Sequence, residues 1–194
     1  MSPIDDTPEA AVCAVAHWLR ILPPGPLAEL RRMTAEMPAP QFWRLTARHP
    51  GTIGRAGREA EWVAIIRMIA ILMDKGTPDE RRPIHDRKRR LGEVLCDGGD
   101  PSWGSGTGIP PRPAFSENRL AQLIAARGTQ RSVHLERAVR AIASSRSPGT
   151  GVNVVDIAFT ILNPRDTRIL AETYYRRLDR AEQAAREIEE GKHQ

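Results

Sequence analysis

The side chains best suited to chemistry in this sequence are arginines, which are concentrated between residues 116 and 146. That stretch holds six arginines and only two carboxylates. Arg119 and Arg127 are two helical turns apart, and Arg137 and Arg140 lie one turn apart on the next predicted helix. A guanidinium is a planar fork of donors that binds phosphate with two hydrogen bonds. Clustered arginines repel one another unless an anion relieves the repulsion, so the pattern favours a phosphate-binding surface.

A smaller basic set lies nearer the N-terminus. Arg31 and Arg32 follow an apolar anchor, and Arg44 follows Phe42 and Trp43, which are predicted to pack in the core. No aromatic residue is interleaved with the arginines further along the chain, so base stacking is not expected there. The predicted mode of binding is contact with the nucleic-acid backbone, without reading of sequence.

A second interpretation of the same arginines is a solvated helix surface. Intrahelical pairs such as Glu136–Arg140 would then neutralise part of the charge. Under this alternative the chain is a helical adaptor that binds only protein, with its arginines as a solubilising face. Salt-dependent binding of mixed-sequence DNA would separate the two interpretations.

Motifs typical of catalysis or metal binding are missing from the sequence. There is no phosphate-binding glycine-rich loop with a lysine, no Cys-x-x-Cys pair, no His-Glu-x-x-His and no nucleophile elbow. His85-Asp86 resembles a metal phosphohydrolase pair, but such a site needs further His and Asp ligands. The sequence therefore predicts no enzyme, no metal and no cofactor, with a nuclease built around His85-Asp86 as an alternative.

The net charge of +5 is unevenly distributed along the chain. Residues 81–163 carry 13 basic and 7 acidic side chains, whereas residues 1–80 balance at −1 and residues 164–194 at zero. Of the 29 basic residues, 26 are Arg, which binds phosphate bidentately where Lys acts as a point charge. The composition is that of a chain that binds an anionic polymer.

Hydrophobic periodicity predicts helices throughout, without the alternation typical of strands. Residues 58–75 are apolar nearly all round, which indicates a buried helix. Residues 97–113 are rich in Gly, Pro and Ser and are interpreted as a mobile linker. The predicted fold is all-α, with two small helical-bundle lobes, residues 1–96 and 116–194, joined by a flexible linker at 97–115.

Several helix ends are also predicted. Thr7 and Asn153 are expected N-caps, and Asp156 completes a capping box with Asn153. Gly76 and Gly128 are expected to end helices in the left-handed conformation that glycine adopts without strain.

The cysteines and the apolar segments bear on location. Cys13 and Cys96 lie far apart and form no metal-binding motif, and the N-terminus lacks the features of a signal peptide. The longest apolar run, residues 62–73, contains Arg67 and is too short to span a bilayer. A reducing, cytoplasmic location with two free thiols is expected.

Short segments in a fixed order carry a resemblance to a known family. These segments are residues 27–32, 40–45, 65–68, 91–92, 116–127, 135–140, 151–153 and 172–176. Across residues 8–178 they resemble the small-subunit (CasB) family of type I-E CRISPR Cascade complexes. Val154 and the Ile161-Leu162 pair depart from the family, standing where it usually has Trp.

The resemblance implies an all-α, two-lobed protein without catalytic activity, present in two copies lined head to tail. The implied partners are the backbone and large subunits, a second copy of the chain, CRISPR RNA and target DNA. The resemblance further implies that the chain helps to hold the guide RNA–target DNA duplex and the displaced strand. The basic positions that match the family are Arg31 or Arg32, Arg44, Arg119 and Arg137. Arg127 and Arg140 are added from charge and spacing alone.

Overall fold

A computed structural model describes residues 7–105, 111–147, 149–163 and 167–191. The helices in these ranges are α1 Pro8–Ile21, α2 Pro24–Arg32, α3 Pro40–Arg48, α4 Glu59–Leu72, α5 Leu91–Asp97, α6 Glu117–Ala125, α7 Gly128–Ser145, α8 Val154–Leu162 and α9 Arg168–Gly191. Within the same ranges there is no strand, only an isolated parallel bridge between His85 and Val152. The predicted all-α class is confirmed.

Two helices begin at the residues that the sequence marks as N-caps. The Thr7 hydroxyl accepts a hydrogen bond from the Ala10 amide at 3.3 Å, and the Asn153 side chain accepts one from the Val155 amide at 3.2 Å. Each cap satisfies an amide that has no partner within the first turn of its helix. Both predictions are confirmed, because capping depends only on neighbours in sequence.

Three other predicted helix-end signals are wrong. Asp156 does not complete a capping box; its carboxylate accepts from the Leu91 amide at 2.9 Å and pairs with Arg90 at 2.8 Å, which joins α8 to the start of α5. Gly76 lies beyond α4, which already ends at Leu72. Gly128 adopts a φ of +53° at the first position of α7, where it begins that helix instead of closing α6.

The hydrophobic core is built around α4. Ile65, Ile66, Met68, Ile69 and Ala70 are each 0% exposed, which confirms that this helix is buried nearly all round. It packs against α1 and α2 from one part of the chain and against α7 and α8 from the other. The buried residues of both predicted lobes belong to one hydrophobic cluster. The two-lobe arrangement is therefore not confirmed, and the domain boundaries stay a prediction.

A buried carboxylate anchors the beginning of the predicted linker. Asp97 has no exposed side-chain surface, and its oxygens accept from Arg89, Arg177 and the Gly99 amide, each at 3.0 Å. The Arg177 guanidinium also lies over the ring of Trp103, 5.3 Å from its centroid, and donates to the Trp103 carbonyl at 2.9 Å. These contacts attach the described part of the linker to α9.

The far end of the predicted linker is also bound to the helical body. The Ala114 and Phe115 amides donate to the carbonyls of Cys96 and Leu95, at 2.9 and 3.0 Å. Residues 106–110, which fall in the predicted linker, lie outside the described residues. The described residues on either side of them are held by α5 and α9.

α5 and α9 approach closely because Gly92 has no side chain. A Cβ at this position would lie 2.2 Å from the Thr173 hydroxyl and 2.3 Å from the Leu170 carbonyl. Next to this contact, the buried Tyr174 hydroxyl donates to the Phe115 carbonyl at 2.6 Å. The buried apolar residues of α9 are Leu170, Tyr174, Leu178, Ala181 and Ala185, whose spacing of three or four residues places them on one side of the helix. The segment Asn163-Pro164-Arg165-Asp166 has the sequence pattern of a helix start, but residues 164–166 lie outside the described residues.

Candidate nucleic-acid interface

Two of the predicted arginines project into solvent from neighbouring helices. Arg119 lies on α6 and Arg137 on α7, and both side chains are exposed. The core-facing residues of α7, among them Leu135 and Ala138, occupy the opposite side of the helix. Among the described residues, neither arginine has an ion pair or a hydrogen bond to its guanidinium. Their donors are therefore available to an external acceptor.

Arg127 is exposed but partly engaged. Its Nη1 lies 2.9 Å from each of three carbonyl oxygens at the end of α6, those of Ile124, Ala125 and Ala126. These carbonyls have no partner within the helix, and the cation also opposes the negative end of the helix dipole. Arg127 therefore stabilises the α6–α7 junction and keeps its remaining donors towards solvent.

Arg140 is paired with the acidic residue that the sequence suggested. The Glu136 carboxylate accepts from Arg140 Nε at 3.1 Å and Nη2 at 2.8 Å, although 57% of the Arg140 side chain remains exposed. Glu136 also pairs with Arg67 of α4, so the same carboxylate joins α4 to α7. At this position the interpretation as an intrahelical ion pair is confirmed.

Arg31 and Arg32, adjacent in sequence, have different environments. Arg31 is half-buried, and its Nε and Nη2 donate to the Ala70 and Met73 carbonyls, both at 2.8 Å. Burial and the neighbouring Arg81 lower the pKa of Arg31. Arg32 is exposed and has no bonded partner among the described residues. Of the two, Arg32 has free donors and Arg31 binds the C-terminus of α4.

Arg31 and Arg140 nevertheless meet at one surface, which we call the basic cleft. It is an open cleft of about 670 Å³ between the ends of α2 and α4 and the side of α7. Its charged lining residues are Arg31, Lys75, Arg140, Arg146 and a single carboxylate, Asp74. Asp74 pairs with Arg146 at 2.5 Å, so the remaining cations give the cleft a positive potential. Arg119, Arg127 and Arg44 do not line it.

Other arginines serve the fold in ways that the sequence did not suggest. Arg81 is 2% exposed, and its guanidinium donates to the Leu22 carbonyl after α1 at 2.5 Å and to the Gly76 carbonyl at 2.7 Å. Arg131 is also 2% exposed, and its Nε donates to the Ala126 carbonyl at 3.0 Å. Nothing in the local sequence distinguishes these buried arginines from exposed ones. Arg81 binds carbonyls outside its own element, and Arg131 binds a carbonyl in the junction that precedes its helix.

The two aromatic residues of α3 are not both in the core. Phe42 is 0% exposed, as predicted, but Trp43 is 53% exposed and the prediction for it is wrong. Trp43 lies on the side of α3 opposite Leu45, and Arg44, also exposed, follows it. Arg44 Nη1 donates to the side chain of Gln41 at 3.3 Å. This helix therefore presents an indole and a guanidinium side by side.

The residues of the alternative nuclease site have structural partners. His85 is half-buried with its Nε2 3.7 Å from the Cys13 sulfur, and burial is the main cause of its lowered pKa. The Asp86 carboxylate accepts from the Lys88 amide at 2.9 Å. In the part of the chain that the structure describes, no cluster of three or more His, Cys, Asp or Glu side chains is placed to hold a metal ion. Both Cys13 and Cys96 are free thiols.

Comparison with known proteins bears on identity. The family model for CRISPR-associated protein Cse2 matches residues 26–183, which include all seven predicted arginines. No curated protein and no solved structure matches the chain. Within the described ranges, no helix is long and apolar enough to cross a membrane. The chain belongs to the Cse2 (CasB) family, the small structural subunit of the type I-E CRISPR Cascade complex.

Proposed function

We propose that this chain is a non-catalytic small subunit that holds nucleic-acid backbone within a Cascade complex, in the cytoplasm, in antiviral defence. Its ligands are the guide RNA–target DNA duplex and the displaced strand. Its partners are the backbone and large subunits and a second copy of itself. The observation that carries the proposal is the pair of exposed arginines, Arg119 and Arg137, whose guanidiniums have no bonded partner among the described residues.

We rank the expected contribution of each arginine to nucleic-acid binding by how many of its guanidinium donors are free. A guanidinium that binds only water exchanges that water for phosphate at little cost, and the contact releases counterions from the nucleic acid. Arg127 and Arg140 have part of their donor set occupied by carbonyls or by Glu136. We therefore assign the main contacts to the unpaired arginines, Arg32, Arg119 and Arg137, and a supporting potential to the basic cleft.

The proposal is tested by removing two of these arginines together. The double variant Arg119→Ala with Arg137→Ala should bind mixed-sequence duplex DNA more weakly than the wild type. A log–log plot of affinity against salt concentration should become less steep by roughly 1.8, because each lost phosphate contact removes about 0.9 from the magnitude of the slope. Helicity and melting temperature should stay nearly unchanged, since exposed substitutions of this kind cost within about 0.5 kcal/mol.

A matched control removes the same charge from another surface. Arg176 and Arg180 on α9 are exposed and have no bonded partner among the described residues. The variant Arg176→Ala with Arg180→Ala should keep the wild-type affinity and salt slope. Equal losses in the two double variants would mean that net charge alone drives binding, and the assigned contacts would be wrong.

Assembly distinguishes nucleic-acid contacts from protein contacts. The Arg119/Arg137 variant should still join the assembled complex and should release target DNA more readily. If it holds DNA normally but is lost from the complex, these arginines face protein, and the alternative of an adaptor that binds only protein is favoured.

A further inference from the structure

The exposed indole of Trp43 lies in a part of the chain that contains no acidic residue. Residues 37–58 include four arginines and neither Asp nor Glu. Arg58 pairs with Glu61 and Arg48 lies over the ring of Trp18, whereas Arg44 is the exposed arginine next to Trp43. Tryptophan is highly buried on average, so an indole left half-exposed next to the exposed Arg44 points to an external partner. The charge of this segment favours an anionic one.

The geometry of α3 holds the indole in place and leaves it uncovered. The ring of the buried Phe42 lies edge-on to Trp43, with centroids 5.3 Å apart and an interplanar angle of 74°. Ala47, one helical turn further on the same face, is too small to cover the indole. Trp43 is thus supported on one side and open on the other.

Arg44 is positioned beside this ring. Its Nη1 is held by the side chain of the buried Gln41 at 3.3 Å, which leaves its other donors towards solvent. An aromatic ring next to a held guanidinium is the pair of groups that binds one nucleotide of a single strand, with the ring on the base and the guanidinium on the phosphate. Duplex DNA keeps its bases stacked inside and cannot use the ring in this way.

We propose that Trp43 is a stacking platform for an unpaired base and that Arg44 binds the adjoining phosphate, so that α3 is a site for single-stranded nucleic acid. The inference rests on the proposed function and extends it, because it assigns one surface to single strands in particular. We expect the arginines of α6 and α7 to bind single strands and duplexes alike, because both forms offer phosphates.

The test compares a single-stranded oligothymidylate with a mixed-sequence duplex of equal length, using the full chain at low ionic strength. Trp43→Ala should weaken binding of the single strand by roughly 5- to 150-fold, the range expected for one stacked base, and change duplex binding by less than about twofold. Trp43→Phe should retain most of the affinity, since it keeps a ring. Met37→Ala, which removes another exposed apolar side chain, is the matched control and should have no effect.

A second measurement holds even if Trp43→Ala perturbs folding. Stacking should quench the wild-type tryptophan fluorescence when oligothymidylate is added, and most of the quenching should disappear in Trp43→Phe. The proposal is overturned if the alanine variant binds both oligonucleotides as the wild type does, or loses both equally. It is also overturned if the variant binds the single strand normally but leaves the assembled complex, because Trp43 then contacts protein. A wild-type chain that binds neither oligonucleotide would refute the proposed function as well.

Discussion

Substitution by Ala should destabilise the protein at Arg31 and leave its stability nearly unchanged at Arg32. Arg31 donates to the carbonyls of Ala70 and Met73 at the C-terminus of α4, both at 2.8 Å. Arg32 is exposed without a bonded partner among the described residues. The two variants remove the same side chain from adjacent positions, so each is the natural control for the other.

The size of the effect follows from the contacts that are lost. A hydrogen bond to a charged group contributes about 1.5–3 kcal/mol. Arg31 lines the basic cleft, so water can reach the freed carbonyls and recover part of that energy. We therefore expect Arg31→Ala to lower the free energy of unfolding by about 2 kcal/mol in total for both bonds. For a chain of this length, that corresponds to a melting temperature lower by about 4–8 °C.

Thermal unfolding followed by circular dichroism measures the difference. Arg32→Ala should stay within about 0.5 kcal/mol of the wild type. Arg31→Lys should restore only part of the loss, because an ammonium lacks the planar fork that spans two carbonyls. Equal melting temperatures for Arg31→Ala and Arg32→Ala would refute the assignment of Arg31 to the end of α4.

Three further predictions concern the core and the segment after α5. Gly92→Ala should destabilise the protein by at least about 1–3 kcal/mol in urea unfolding, because the new Cβ would lie 2.2 Å from the Thr173 hydroxyl of α9. The control Gly25→Ala, which has open space around the new methyl group, should not destabilise the protein. Asp97→Ala should lower the free energy of unfolding by about 3–5 kcal/mol, because it leaves the guanidiniums of Arg89 and Arg177 without their anion. Proteolysis of residues 97–105 should accelerate in this variant, and an unchanged digestion pattern would contradict the anchoring. Burial raises the pKa of Cys96 to about 12, so little of its reactive thiolate is present near pH ~8. After alkylation at that pH, mass spectrometry should find Cys96 labelled far more slowly than Cys13 in the native protein. In urea the two cysteines should be labelled at similar rates.

Much of the secondary structure was predictable from the sequence because the signals are local. The Thr7 cap binds an amide three residues further on, and the Asn153 cap binds one two residues further on. The apolar period of α4 likewise appears within a single window of sequence. The order of short motifs also sufficed to indicate the family, which the match over residues 26–183 confirms. Local pattern did not distinguish two lobes from one shared core, because α4 packs on helices from both sides of the predicted linker.

Only the tertiary structure decided which arginines bond to groups within the fold and which keep free donors. Arg31 differs from Arg32 because its donors reach carbonyls 39 and 42 residues further along the chain. Trp43 differs from Phe42 because consecutive residues lie about 100° apart on a helix, and the side of α3 that faces the core carries Gln41, Phe42 and Leu45. Composition records how many cations the chain carries. Which of them remain free to bind phosphate depends on which carbonyls and carboxylates the packing of helices brings within reach.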